Sequence, residues 1–147
     1  MASIDRIDWH SGGDFLDNLP EVNGGTHIGM YLTWIINNDL IGQIHREDST
    51  EAIQKVFSRQ MTGRDFLVDM CDEKFWDDDL NEEGLAFTKH YCQAESTDTF
   101  KSYIDDYCES IGENCESLYE VGDTWQNYDR LTAYIDKKYT DWKKSKA

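Results

Sequence analysis

The sequence predicts an all-α protein, a compact bundle of about six helices with an ordered glycine-rich loop at its N-terminus. Two observations predict this class. Apolar residues recur at spacings of three and four along most of the chain. In addition, Pro20 is the only proline among 147 residues, so few positions would interrupt a helix. We expect one domain over residues 1–147, because a chain of this length can bury about two thirds of its unfolded surface around a single core.

The N-terminal segment, residues 1–25, predicts a loop packed on the bundle. Its stretch WHSGGDFLDNLPEVNGG is rich in glycine and turn-forming residues and shows no sustained period. We expect Trp9, Phe15 and Leu19 to hold this loop against the core. The loop therefore counts as ordered structure, although it contributes no helix.

Six helices follow, each predicted from a face of apolar residues at helical spacing. We expect no strand pair: the N-terminal loop could contain short extended pieces, and LYEV at 118–121 could be extended but is too short for a sheet. The helices, with the residues expected on their inner faces, begin at Thr26 (Ile28, Tyr31, Leu32, Ile35, Ile36, ending near Asn38), after residues 48–50 (Ile53, Val56, Phe57), at Thr62 (Phe66, Leu67, Met70, Cys71), near Leu80 (Gly84, Phe87, Thr88, Tyr91), near Phe100 (Tyr103, Ile104, Tyr107, Cys108, Ile111) and behind Thr124 (Trp125, Tyr128, Leu131, Ile135, Tyr139, Trp142).

The net charge of −16 is concentrated in the middle of the chain. Residues 65–123 hold three Lys or Arg and eighteen Asp or Glu, whereas residues 124–147 hold six and three. A field of this sign repels nucleic acid and anionic membranes and accelerates encounter with a basic partner. A net charge of this size can also do no more than keep a protein soluble, and that interpretation stays open.

The N-terminus MASIDRIDWH lacks the apolar stretch of a signal peptide, and no window approaches the length that spans a bilayer. We therefore expect a cytoplasmic protein. Its four cysteines, at positions 71, 92, 108 and 115, lie in or beside apolar helical faces and are expected to be free thiols. There is no CxxC pair, HExxH motif or phosphate-binding loop, so we predict no metal site, no cofactor and no catalytic residue.

The stretch FWDDDLNEEG, residues 75–84, places five carboxylates directly behind two aromatics. An EF-hand loop from Asp77 would need Gly at Glu82 and Glu at Thr88, so that type of calcium site is excluded. A looser divalent site stays open. Catalysis by paired carboxylates needs two different environments, and nothing singles out such a pair. Capping by Asp79 or Asn81, with acidic residues in the first helical turn, accounts for part of the charge.

The remaining acidic residues, beside an aromatic, fit a contact surface for a basic protein. A second acidic group on the fifth helix would extend it. The residues expected to contact a partner are Trp76, Asp77, Asp78, Asp79, Glu82, Glu83, Asp105, Asp106 and Glu109.

An alternative site lies at the glycine-rich loop. His10 and His27 flank it and could converge with Asp14 into a small polar pocket, which would suit a small-molecule-binding protein or an enzyme. The simpler interpretation is that each histidine hydrogen-bonds loop backbone.

Five blocks together resemble a known family: WHSGGDF (9–15), THIGMYLTWII (26–36), MTGRDFL (61–67), DDLNEEGLAF (78–87) and DTWQNYDRL (123–131). The chain is similar over nearly its whole length to a bacterial family classed as a domain of unknown function. The resemblance implies at most an immunity role, as for relatives encoded beside secreted toxins, and transfers no catalytic residue. The family pattern has Asp-Gly-Lys where this chain has Asp72, Glu73 and Lys74. The resemblance therefore does not establish the geometry of the turn at these residues.

These observations favour a non-enzymatic acidic binding protein. The most concrete form is a cytoplasmic immunity protein that neutralises a bacterial toxin or effector domain with a basic surface by covering its active site. We expect neither nucleic acid nor membrane as a partner.

Overall fold

The computed structural model describes residues 3–7, 21–93, 97, 100–112 and 118–146. Within them the protein is predominantly helical, which confirms the predicted class. Short 3-10 turns cover Glu21–Gly25, Asp77–Asp79 and Leu118–Glu120. The α-helices are α1 Thr26–Asn37, α2 Gln43–Asp48, α3 Thr50–Phe57, α4 Gly63–Met70, α5 Glu82–Tyr91, α6 Tyr103–Ile111 and α7 Trp125–Lys146.

Helix α1 is the centre of the core. Every residue from Thr26 to Ile36 is buried, as expected of a helix surrounded by other elements. Helix α4 crosses it at two glycines: a Cβ added to Gly63 would lie 1.8 Å from the carbonyl oxygen of Gly29. Helices α3 and α7 also pack on α1. The two helices are so close at this crossing that only glycine fits at positions 29 and 63.

One pair of short strands was not predicted. Strand β1, Ser3–Arg6, pairs antiparallel with β2, Lys74–Trp76, with Ser3 opposite Trp76 and Arg6 opposite Lys74. The expectation of no strand pair is therefore wrong. Periodicity could not reveal a three-residue strand, because its partner lies far away in the sequence and local pattern carries no pairing information.

The turn between α4 and β2 has an unusual backbone. Asp72 and Glu73 have φ of 54° and 65°, a left-handed conformation that costs a residue with a Cβ about 1–2 kcal/mol. The turn is held by hydrogen bonds from the Glu73 amide to the Leu67 carbonyl and from the Ile7 amide to the Glu73 carbonyl, both 3.0 Å. Position 73, where the resemblance leads us to expect glycine, therefore holds a residue in a strained conformation.

Two further details correct the sequence expectations, and one expectation is not tested. Helix α2 was not predicted, because six residues are too few to show a period. Phe57 and Met70, expected inside, are 47% and 42% exposed. Most of the glycine-rich loop, including Trp9, Phe15 and Leu19, lies outside the described residues. Among the residues that are described, no helix is both long and apolar enough to cross a membrane.

Candidate functional site

The acidic turn, which we define as residues 77–83, follows β2 and includes the first two residues of α5. Its backbone is tied to the segment between α1 and α2. The Gly42 amide donates to the Asp79 carbonyl at 2.8 Å, the Asn81 amide donates to the Leu40 carbonyl at 2.9 Å, and Leu80 forms an antiparallel bridge with Ile41. A Cβ on Gly42 would lie 2.4 Å from the Asp78 carbonyl oxygen. The acidic turn is thus seated directly on the core.

Helix α5 begins as its sequence predicts. Asn81 is the N-cap, and its side-chain oxygen accepts a hydrogen bond of 2.8 Å from the Gly84 amide. Glu82 and Glu83 occupy the first turn, where carboxylates favour the positive end of the helix dipole. Of the two capping candidates, Asn81 is therefore correct and Asp79 is not.

Asp79 instead points into the protein and is only 5% exposed. One carboxylate oxygen lies 2.6 Å from His45 Nε2, and the other accepts a hydrogen bond of 2.7 Å from the Trp76 amide. The expectation that Asp79 contacts a partner is corrected. Asp79 can be buried because His45 and the Trp76 amide supply the hydrogen bonds that replace water around a buried carboxylate.

His45 and Cys71 complete a buried polar cluster with Asp79. His45, on α2, is 4% exposed and packs edge-on against Phe66. Its Nδ1 lies 3.1 Å from Ser49 Oγ. Cys71 Sγ, at the end of α4, lies 3.7 Å from His45 Nε2 and 3.9 Å from the same Asp79 oxygen. We call these three residues the His45–Cys71–Asp79 cluster.

The cluster does not have the properties of a nucleophilic centre. Burial, followed by the neighbouring Asp79 carboxylate, raises the pKa of the Cys71 thiol far above its ordinary value, whereas reactive cysteines have lowered pKa values. Ser49, His45 and Asp79 also form a hydrogen-bonded chain, but Ser49 is only 7% exposed. A nucleophile has to reach its substrate, so this geometry favours a structural or ligand-holding role.

The spacing of these three residues along the chain does not predict the cluster. His45 lies 26 residues before Cys71 and 34 before Asp79, and no motif has those intervals. The only local sign is that His45 and Ser49 are four residues apart, on one side of a helix. Sequence reasoning predicted no metal ligands for this reason, yet the three donor atoms lie within 4.8 Å of one another.

The other predicted contact residues of this region lie at or near the surface. Asp78 and Glu82 are exposed, and Trp76, Asp77 and Glu83 are half-buried. Glu83 already has partners within the chain: Lys143 Nζ lies 2.8 Å away, and the Tyr139 hydroxyl donates to the same carboxylate. The Lys143 hydrogen bond, and then the Tyr139 hydrogen bond, lower the pKa of Glu83.

On α6 the structure separates the three predicted residues. Asp105 and Glu109 are exposed, but Asp106 is 4% exposed. Its carboxylate accepts hydrogen bonds from the Tyr91 hydroxyl at 2.6 Å and from Lys138 Nζ at 2.8 Å. The expectation that Asp106 contacts a partner is corrected, because this buried carboxylate holds half-buried Lys138 in the packing of α6 on α7.

The alternative pocket can be followed only at His27, since His10 and Asp14 lie outside the described residues. His27 is 1% exposed and its Nε2 lies 3.0 Å from an Asp5 carboxylate oxygen. A cavity of about 50 Å³ adjoins this pair, with Tyr31, Phe75 and Tyr103 in its wall. That volume holds a few water molecules.

Comparison with known proteins gives one family. Residues 3–121, from β1 through the last 3-10 turn, match the model of the Domain of unknown function (DUF7832). No curated protein and no solved structure matches the chain significantly. The matched region includes the acidic turn and all three residues of the cluster. The chain therefore belongs to the DUF7832 family, a domain of unknown function.

Proposed function

We propose that this protein binds a basic protein partner through the exposed side of the acidic turn. The observation that carries the proposal is that Asp78 and Glu82 face solvent on a backbone held to the core beneath them. A contact surface fixed before binding loses little conformational freedom on association.

The rigidity of the surface comes from both sides of the acidic turn. Asp79 binds His45 and the Trp76 amide from within, and Asn81 caps α5 at the other end. Asp78, between these anchors, projects outward. The turn therefore presents its charges in a fixed arrangement.

The charge of the surrounding sequence supports the same proposal. Residues 65–83 contain nine Asp or Glu, and the only cation among them is Lys74, whose Nζ lies 3.6 Å from Asp72. An excess of one sign steers an oppositely charged partner and raises the association rate. Half-buried Trp76, next to the exposed carboxylates, is suited to be an aromatic anchor.

The most specific form of the proposal is an immunity protein of the bacterial cytoplasm. Its partner would be a toxin or effector domain whose active site is basic, and binding would exclude that domain's substrate. Asp105 and Glu109 on α6 are secondary contact candidates.

The experiment starts with capture of the partner from native cells and identification by mass spectrometry. The association rate of the purified pair is then measured at several salt concentrations. We expect Asp77→Lys with Asp78→Lys to slow association at least tenfold at low salt and to abolish protection of cells expressing the partner. The matched control, Glu47→Lys with Glu51→Lys, makes the same charge change at exposed positions on α2 and α3. Equal rates for the two double variants, both folded by circular dichroism, would contradict the proposal.

A second candidate is a small-molecule site at the glycine-rich loop, favoured by the His27–Asp5 pair beside the 50 Å³ cavity. It would use His10 and Asp14 as further polar groups. This candidate predicts that His10→Ala and His27→Ala remove function in folded protein, while the charge reversals at Asp77 and Asp78 do not. The opposite result would favour partner binding.

A further inference from the structure

We propose that His45, Cys71 and Asp79 bind one Zn²⁺ ion beneath the acidic turn, through Nε2, Sγ and a carboxylate oxygen. The ion would join the short helix α2, the end of α4 and the acidic turn. This inference goes beyond the proposed partner binding and stands on different residues.

The donor set selects the class of metal. An imidazole nitrogen, a thiolate and a carboxylate oxygen are the ligands that zinc takes in proteins. Magnesium and calcium prefer oxygen ligands throughout, so a site with nitrogen and sulfur donors discriminates against them. Binding deprotonates the Cys71 thiol and releases that proton, as happens when zinc coordinates a cysteine.

Two of the three distances between the donors are close to those on one face of a tetrahedron. With the usual zinc–ligand bond lengths, sulfur lies about 3.6 Å from a neighbouring nitrogen or oxygen donor, and nitrogen lies about 3.3 Å from oxygen. In the structure Cys71 Sγ is 3.7 Å from His45 Nε2 and 3.9 Å from Asp79 Oδ1. The His45–Asp79 pair, at 2.6 Å, is a hydrogen bond and would open by about 0.7 Å around an ion. A water molecule would complete the tetrahedron.

Neighbouring groups already orient two of the three ligands. Ser49 Oγ lies 3.1 Å from His45 Nδ1, which fixes the ring and directs Nε2 toward the cluster. The Trp76 amide donates to the second Asp79 oxygen at 2.7 Å, leaving the first one for the ion. Metal-binding histidines and carboxylates commonly have such outer partners.

Burial separates this cluster from a chance group of acidic residues on the surface. His45, Cys71 and Asp79 are 4%, 6% and 5% exposed, and they come from three different elements. Their side chains meet at one point in the core, where a bound ion would be shielded from bulk solvent. The exposed carboxylates of the acidic turn have no part in it.

The test uses the 147-residue protein, stripped of metal with a chelator and then titrated with ZnCl₂ or CoCl₂. We expect one Zn²⁺ per chain by calorimetry, a rise in melting temperature with Zn²⁺ but not with Mg²⁺, and a thiolate-to-cobalt charge-transfer band with Co²⁺. Cys71→Ala should remove that band. His45→Gln should weaken Zn²⁺ binding at least tenfold.

Matched controls keep the same residue types away from the cluster. Cys108→Ala and His90→Gln should bind Zn²⁺ as the unaltered protein does. If Cys71→Ala fails to fold, the triple variant Cys92→Ala, Cys108→Ala and Cys115→Ala decides, because Cys71 is then the only thiol and the cobalt band should persist. Absence of Zn²⁺ binding by the stripped protein, or a cobalt band lost in the triple variant, would overturn the proposal. Neither result affects the charge-reversal test of partner binding.

Discussion

The acidic turn and helix α6 differ in how they satisfy a buried carboxylate, although their sequences look alike. Each carries a run of acidic residues, and each directs one of them inward while its neighbours face solvent. Asp106 on α6 binds a lysine and a tyrosine. Asp79 on the acidic turn binds a histidine and a backbone amide, with a cysteine beside them. Asp106 forms an ion pair with its lysine, whereas Asp79, its histidine and the nearby cysteine together resemble the ligands of a metal ion.

The comparison also shows that counting carboxylates overestimates a contact surface. In both segments the buried residue is hydrogen-bonded within the fold, and only the remaining residues lie at or near the surface. Substitutions of a buried acidic residue alone, or of a surface acidic residue alone, can separate the role in stability from the role in partner binding.

The largest effect is expected at Asp106. Asp106→Asn removes the charged acceptor of hydrogen bonds from the Tyr91 hydroxyl and from half-buried Lys138 Nζ, and two such bonds together contribute about 3 kcal/mol. Asp105→Asn, on the exposed side of the same helix, should change the free energy of unfolding by less than about 0.5 kcal/mol. Urea denaturation measures both. Similar small losses for the two variants would show that the Asp106–Lys138 pair is dispensable.

A smaller effect is expected where the acidic turn rests on Gly42. Gly42→Ala places a methyl group against the backbone of Asp78, and overpacking of this kind costs about 1–3 kcal/mol. Because the displaced backbone carries the exposed charges, partner binding should weaken as well. Gly122→Ala is the control, since its Cβ would meet nothing closer than 3.6 Å. If Gly42→Ala matches that control in denaturation, the acidic turn is not seated as described.

The smallest effect concerns the contact of Glu83 with α7. Because Lys143 and Tyr139 lower the pKa of Glu83, its contribution to stability is present above the ordinary glutamate pKa and is lost as pH falls through the lowered value. Burial, and then Glu83, raise the pKa of Tyr139 to about 12, so its contribution is present below pH 10 and is lost as pH rises toward 12.

Glu83→Gln should therefore lower stability near neutral pH by less than about 1 kcal/mol, since the pair is partly exposed. The difference from the unaltered protein should shrink under acid conditions. Thermal denaturation across the pH range records it. A difference that grows as pH falls would contradict the assigned ion pair.

Local features of the fold could be predicted from the sequence. The central helix α1 and the last helix α7 were found within about a residue at their start, because long periodic patterns determine them. The Asn81 cap was among the predicted candidates, since a capping residue and its amide lie three positions apart. These features depend on neighbours in the chain.

Features that depend on distant residues could not be predicted. The inward direction of Asp79 depends on His45, and that of Asp106 depends on Lys138. The strand pair joins β1 and β2, which are far apart in the sequence. Helix α2 is too short to show a period. The His45–Cys71–Asp79 cluster combines all of these conditions, so its donors could be identified only after the chain was folded.

The most direct test of the account compares Asp79→Asn with Asp78→Asn, by urea denaturation of metal-free protein in the presence of a chelator. Both substitutions remove one charge from adjacent positions of the acidic turn. We predict that Asp79→Asn lowers the free energy of unfolding by about 2 kcal/mol, because the charged acceptor of one buried and one partly buried hydrogen bond is lost, and that Asp78→Asn changes it by less than about 0.5 kcal/mol. Equal losses, or a larger loss for Asp78→Asn, would contradict the division of the acidic turn into an inner anchor and an outer contact surface.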